Sequence, residues 1–114
     1  MVMLVIGVGL GACGQEAPSY SSVAELAAAM KEGGAGCHSL SRLDAADLVS
    51  DRAVCKVDGS TVNLYLFSSD ANQREWLAVG SELGPVIEGP DWAVVPTDPD
   101  IVRKIADATG GTLR

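Results

Sequence analysis

The chain has 114 residues, with fifteen acidic side chains against eight basic ones, a net charge of −7 and a pI near 4.4. That balance argues against nucleic acid as a partner, since phosphate demands a basic patch, and against direct adsorption to anionic lipid headgroups. Apolar residues make up 47% of the chain, too many and too regularly spaced for a disordered segment.

From Met1 to Ala12 every residue is Met, Val, Leu, Ile, Ala or Gly. Such a run, as a helix, spans roughly 18 Å at about 1.5 Å per residue, against the ~30 Å of a bilayer's hydrocarbon core. It is too short to cross a membrane and has the length of the apolar region of a secretory signal. The alternative, a buried N-terminal strand or helix, is disfavoured because Gly7, Gly9, Gly11 and Gly14 make a poor element interior.

Leu10-Gly11-Ala12-Cys13 closes the run. It resembles the lipobox of bacterial lipoproteins: an aliphatic residue, two small residues, then the cysteine to be acylated. The resemblance implies that the Cys13 thiol takes a diacylglyceryl group and that cleavage after Ala12 leaves Cys13 as the new N-terminus. Signals of this kind usually open on Lys or Arg. Here the only positive charge before Cys13 is the α-amino group, which implies a start upstream of Met1 or an inefficient signal. Two acyl chains anchor a protein stably where one does not, and residues 14–21 read as a short flexible tether. The expected layout is a signal peptide at 1–12, acylated cysteine and tether at 13–21, and one domain at 22–114.

Ser22 and Glu25 fit a capping box, followed by Val23, Leu26, Ala27 and Met30 on one helical stripe, with Gly33-Gly34 as the stop. Ser41 with Asp44 predicts a short helix through Asp51, carrying Asp44, Asp47 and Asp51 as a solvated acidic face; the spacing is not that of a calcium loop. The runs 53–57 and 61–67 are rich in β-branched and aromatic residues and are joined by Asp58-Gly59, a hairpin signal. Asp70 is the expected N-cap of a second helix running through Trp76, Leu77 and Val79, with Gly84-Pro85 beyond it. Residues 85–90 read as extended or turn. Residues 91–96 read as a short strand, which its flanking prolines confine to the sheet's edge or to its own ends. Asp98-Pro99-Asp100 starts a third helix, with Ile101, Val102, Ile105, Ala106 and Thr109 as its buried stripe and Gly110-Gly111 as its stop. The order predicts an α+β fold, a small and mainly antiparallel sheet with about three helices packed on one face.

An exported chain meets an oxidising compartment, so Cys37 and Cys55 are expected to form a disulfide. Two competitors use the same residues. Cys37, His38 and Cys55 could bind zinc, but adjacent ligands do not chelate and no fourth is evident. Cys37 and His38 could be nucleophile and base, but sequence neighbours rarely face one another. The serines lack a second histidine or a nucleophile elbow, and no glycine loop opens a helix to cradle phosphate. No catalytic, metal or cofactor site is expected. Trp76 and Trp92 are candidate partner contacts if exposed, and core residues otherwise.

With the lipobox, the cysteine pair and Gly89-Pro90-Asp91-Trp92 in view, the chain resembles small lipoproteins of unknown function from high-GC Gram-positive bacteria and their phages. The resemblance implies no activity. The expectation is a non-enzymatic domain, lipid-anchored at the extracytoplasmic face of the cell membrane, that contacts an envelope protein or ligand. The alternative is a phage superinfection-exclusion lipoprotein that engages a phage protein at the same face.

Overall fold

The computed structural model describes residues 17–82 and 84–114. Leu10, Gly11, Ala12 and Cys13, on which the lipobox reading falls, lie outside the described residues. In chain order the elements are α1 (Val23–Glu32), β1 (His38–Leu43), β2 (Asp51–Val57), β3 (Ser60–Leu66), α2 (Asp70–Gly80), β4 (Ile87–Glu88), β5 (Trp92–Pro96), a 3-10 turn (Pro99–Ile101), α3 (Val102–Thr109) and β6 (Thr112–Leu113). The strands form one antiparallel sheet in the order β1-β2-β3-β5-β4-β6. The α+β class with a mainly antiparallel sheet and three helices is therefore as the sequence predicts.

The sheet is built outward from the β2–β3 hairpin. Asp58 and Gly59 take φ of +51° and +83°, the mirror-image turn whose twist matches that of its flanking strands. That turn sets the register from Val57 opposite Ser60 to Asp51 opposite Leu66. β5 then adds to the free side of β3, pairing Val62 with Pro96 and Leu66 with Trp92. Pro96 is tolerated because it closes its strand, and β5 is an interior strand rather than an edge.

Strand alternation gives the sheet two apolar faces. Ala53, Cys55, Val57, Val62, Leu64, Leu66, Trp92 and Val94 share a core with Val23, Leu26 and Met30 of α1 and with Ile101, Val102 and Ile105 of the third helical segment. Ala93, with Tyr65 and Val95 beside it, faces the other way and packs with Val49, Phe67, Val86 and α2's Leu77 and Trp76. The helices thus divide, α1 and α3 on one side and α2 on the other, and do not all lie on one face. Interior strands that are apolar on both sides need cover on both.

Local signals at the helix starts hold with one shift. Ser22 Oγ accepts from the Glu25 N–H at 3.2 Å, and Glu25 Oε1 accepts from the Ser21 N–H at 3.0 Å. That second bond holds the Glu25 carboxyl below its ordinary range. Asp98 caps through the Asp100 N–H at 2.9 Å, with Pro99 next. α2, however, is capped by Ser69 rather than Asp70, the Ser69 Oγ accepting from the Asn72 N–H.

Three expectations give way, the first two to one cause. The predicted helix from Ser41 is strand β1 followed by a turn. Its six side chains are all exposed, so it carries no burial periodicity, and backbone pairing to β2 alone makes it a strand. Asp51 is consequently not on a solvated acidic face. Its carboxylate accepts from the Val23 N–H at 3.1 Å and from Arg42 at 2.9 Å, tying the start of α1 to the sheet. The expected tether is also docked in part, since Ala17 and Tyr20 pack on the core, so the packed domain reaches back before residue 22.

Candidate functional site

Trp92 is the hub of the larger core and has no exposed surface. Its indole N–H donates to the Pro18 carbonyl at 2.8 Å, and the Tyr20 ring lies 5.8 Å from its own, centroid to centroid. A Cβ on Gly89 would meet the indole at 2.2 Å, and one on Gly111 would meet it at 2.7 Å. Only glycine fits where the ring crosses the backbone so closely. Around the same turn, the Gly89 N–H donates to the Trp92 carbonyl at 3.0 Å, and the buried Gln73 of α2 donates to the carbonyls of Gly89 at 2.8 Å and Trp92 at 3.3 Å. Gly89-Pro90-Asp91-Trp92 is therefore an architectural turn. Trp92 is not a partner contact, because burial places its whole side chain inside.

Cys37 and Cys55 form the expected disulfide, with Cα atoms 5.5 Å apart. Both sulfurs are thereby committed, so neither is a thiolate for zinc or for attack on a substrate. His38 is exposed, its ring against Gly36. The bond ties the segment after α1 to β2, beside the edge strand β1.

Trp76 behaves differently from Trp92. It is half-buried, its ring 4.8 Å from that of Tyr65 and 5.4 Å from that of Phe67. It floors a groove of about 310 Å³, walled by Leu48, Tyr65, Glu75, Val79 and Gly80. Val79 is 65% exposed, more than Leu40, Leu43 or Leu113. Leu48 holds φ at +73°, a left-handed conformation that costs a leucine on the order of 1–2 kcal/mol. The neighbouring Ala46–Val49 backbone bridge keeps it there. Two apolar residues thus flank an aromatic floor, and one carboxylate, Glu75, stands in the wall.

Of these, sequence reasoning singled out Trp76 alone as a contact. A signal for Val79 was present. The buried stripe of α2 is Gln73, Leu77 and Gly80, whereas Val79 lies about 200° round the helix from Leu77. An apolar residue off the stripe marks surface, not core. Leu48 and Tyr65 could not be grouped with it, because only the tertiary fold brings residues 48, 65 and 76 together.

Burial pushes the phenol of Tyr65 above the ordinary tyrosine value of 10.0, with the Arg52 charge opposing. Burial also raises Tyr20, assisted by the negative charge of Glu32. These are the two tyrosines of the chain. Titrated by phenolate absorbance, the folded protein is expected to ionise above the free-tyrosine range, and denaturant should bring both back to it. The neutral phenols favour the fold fully below pH 10, and that contribution is lost as pH rises through the folded values. Ionisation of the folded chain at the free-tyrosine value would contradict the burial described.

Comparison of the chain with protein-family models, with curated proteins and with solved structures gives no match. Among the described residues no helix is long and apolar enough to cross a membrane.

Proposed function

We propose that the chain is an exported lipoprotein, anchored through Cys13 at the extracytoplasmic face of the cell membrane, and that its domain acts by binding rather than by chemistry of its own. The observation that carries this reading is the partition of the three cysteines. Cys37 and Cys55 are joined to each other, a pairing that persists in oxidising compartments. The remaining cysteine, Cys13, stands at the end of an apolar run after Leu10, Gly11 and Ala12. Small domains outside the cytosol use disulfides in this way, and two acyl chains would supply the membrane affinity that an acidic surface does not.

Packing of Ala17 against the core makes the leash short. Four residue steps of extended chain reach at most about 14 Å, so the domain would ride close to the headgroups. A net charge of −7 gains nothing from adsorbing to anionic headgroups, so the domain would present its groove to other proteins.

Intact mass of the protein recovered from membrane fractions tests the anchor. The expected mass lacks residues 1–12, carries a diacylglyceryl adduct, and rises by two hydrogen atoms on reduction. Cys13→Ser is expected to abolish both the adduct and the cleavage. Recovery from cytosol with residues 1–12 retained and no adduct would overturn the reading.

A further inference from the structure

We infer that the Trp76 groove receives a lysine or arginine side chain from a basic segment of a partner protein. This deepens the binding role proposed above and rests on it. The size of the groove, about 310 Å³, suits one long side chain and lies at the small end of ligand sites. Its walls match a cation on an apolar stem. Leu48 and Val79 line the sides for methylenes, the Tyr65 and Trp76 rings, 4.8 Å apart, offer aromatic surface, and Glu75 supplies the opposite charge.

Charge around the groove points the same way. Asp47 adjoins Leu48, and Glu82 follows α2 three residues beyond Val79, both exposed. Arg74 pairs with Asp70 along the helix; the Arg52 Nε is turned to the Asp44 carbonyl at 2.7 Å, and its charge, which reaches Tyr65, is outnumbered by those of Glu75, Asp47 and Glu82. The chain as a whole carries −7, which draws a basic partner toward it before contact. An acidic occupant would be repelled by Glu75, and an uncharged apolar one would leave its charge unused.

The test uses the full chain, solubilised in a nonionic detergent with its disulfide intact, and titrates it with an end-capped lysine pentapeptide while following amide and indole nuclear magnetic resonance signals. The Trp76 indole signal and the amides of Leu48 and 75–80 are expected to shift. The Trp92 indole, on the other face of the sheet, is expected to stay in place as an internal control. Glu75→Gln should weaken binding about threefold. Asp107→Asn, an equal change in net charge on α3 across the sheet, should leave it nearly unaltered. A glutamate pentapeptide should shift nothing.

Shifts spread over the acidic surface, with the Gln and Asn variants weakened alike, would show unspecific attraction to net charge and overturn the site. A motionless Trp76 signal would do the same. The mass measurement of Cys13 reports on the anchor independently, so either reading can fail without the other.

Discussion

Replacing Trp92 by alanine is expected to cost about 3–5 kcal/mol, the range for truncating a buried aromatic, which is a large share of the ~5–15 kcal/mol that holds a domain of this size together. The magnitude follows from what the ring does. It has no exposed surface, it separates Gly89 from Gly111 and touches both, and its N–H secures the Pro18 carbonyl. The variant should lose most of its cooperative urea transition at room temperature. Trp92→Phe separates packing from the hydrogen bond. Phenylalanine retains a ring but no donor, so amide exchange should accelerate selectively around Tyr20 and Ser21 while the sheet stays protected. A midpoint unchanged in the alanine variant would mean that Trp92 is not the hub described.

The second large effect concerns the Cys37–Cys55 bond. Its separation of 18 residues corresponds to about 3 kcal/mol in chain-entropy terms. Reduction of the otherwise unaltered protein should lower the urea midpoint accordingly. The loss should also be local. β1 has six exposed side chains and pairs with β2 alone, so no buried apolar surface of its own holds it. Reduced protein is therefore expected to release exchange protection at residues 38–43 first, with β2, β3 and β5 remaining protected. Equal midpoints with and without reductant would show that the bond only decorates an edge already held by backbone pairing.

Each of these effects could be foreseen only in part from the order of residues. Composition, together with the expected export, pairs Cys37 with Cys55, because two cysteines in an oxidising compartment have few other fates. Trp92 was a core candidate, yet nothing local revealed that its indole would reach back to Pro18. That contact joins residues far apart in the chain, and it turned part of an expected tether into packed structure. Val79 shows the opposite case. In sequence it is one more apolar helix residue, yet its angle away from Leu77 already places it outside the buried stripe.

The candidate site was least legible where its parts are most separated. Trp76 is a candidate contact by sequence, but the groove also needs Leu48 from the turn after β1 and Tyr65 from β3. The turn holding Leu48 falls within the stretch whose sequence predicts a helix from Ser41 to Asp51. Its acidic residues suggested a helical face, and only the edge position of β1 explains why they are dispersed instead. Asp44 offers its carbonyl to Arg52, Asp51 serves the start of α1, and Asp47 stands exposed next to Leu48 in the chain.

What the chain determines by itself is short in range. The Asp58-Gly59 hairpin, the Ser22 and Asp98 caps, the helical stripes of α1 and α3 and the alternation along β3 all follow from neighbours within a turn or two, where sterics and hydrogen bonding act directly. Tertiary structure alone decided the strand order, the interior place of β5, the addition of β4 and β6, and the division of the helices between two faces. Those choices depend on which apolar surfaces meet, and burial is settled between segments distant in sequence. A strand such as β1, with nothing buried, leaves no periodic trace of the partner that makes it a strand.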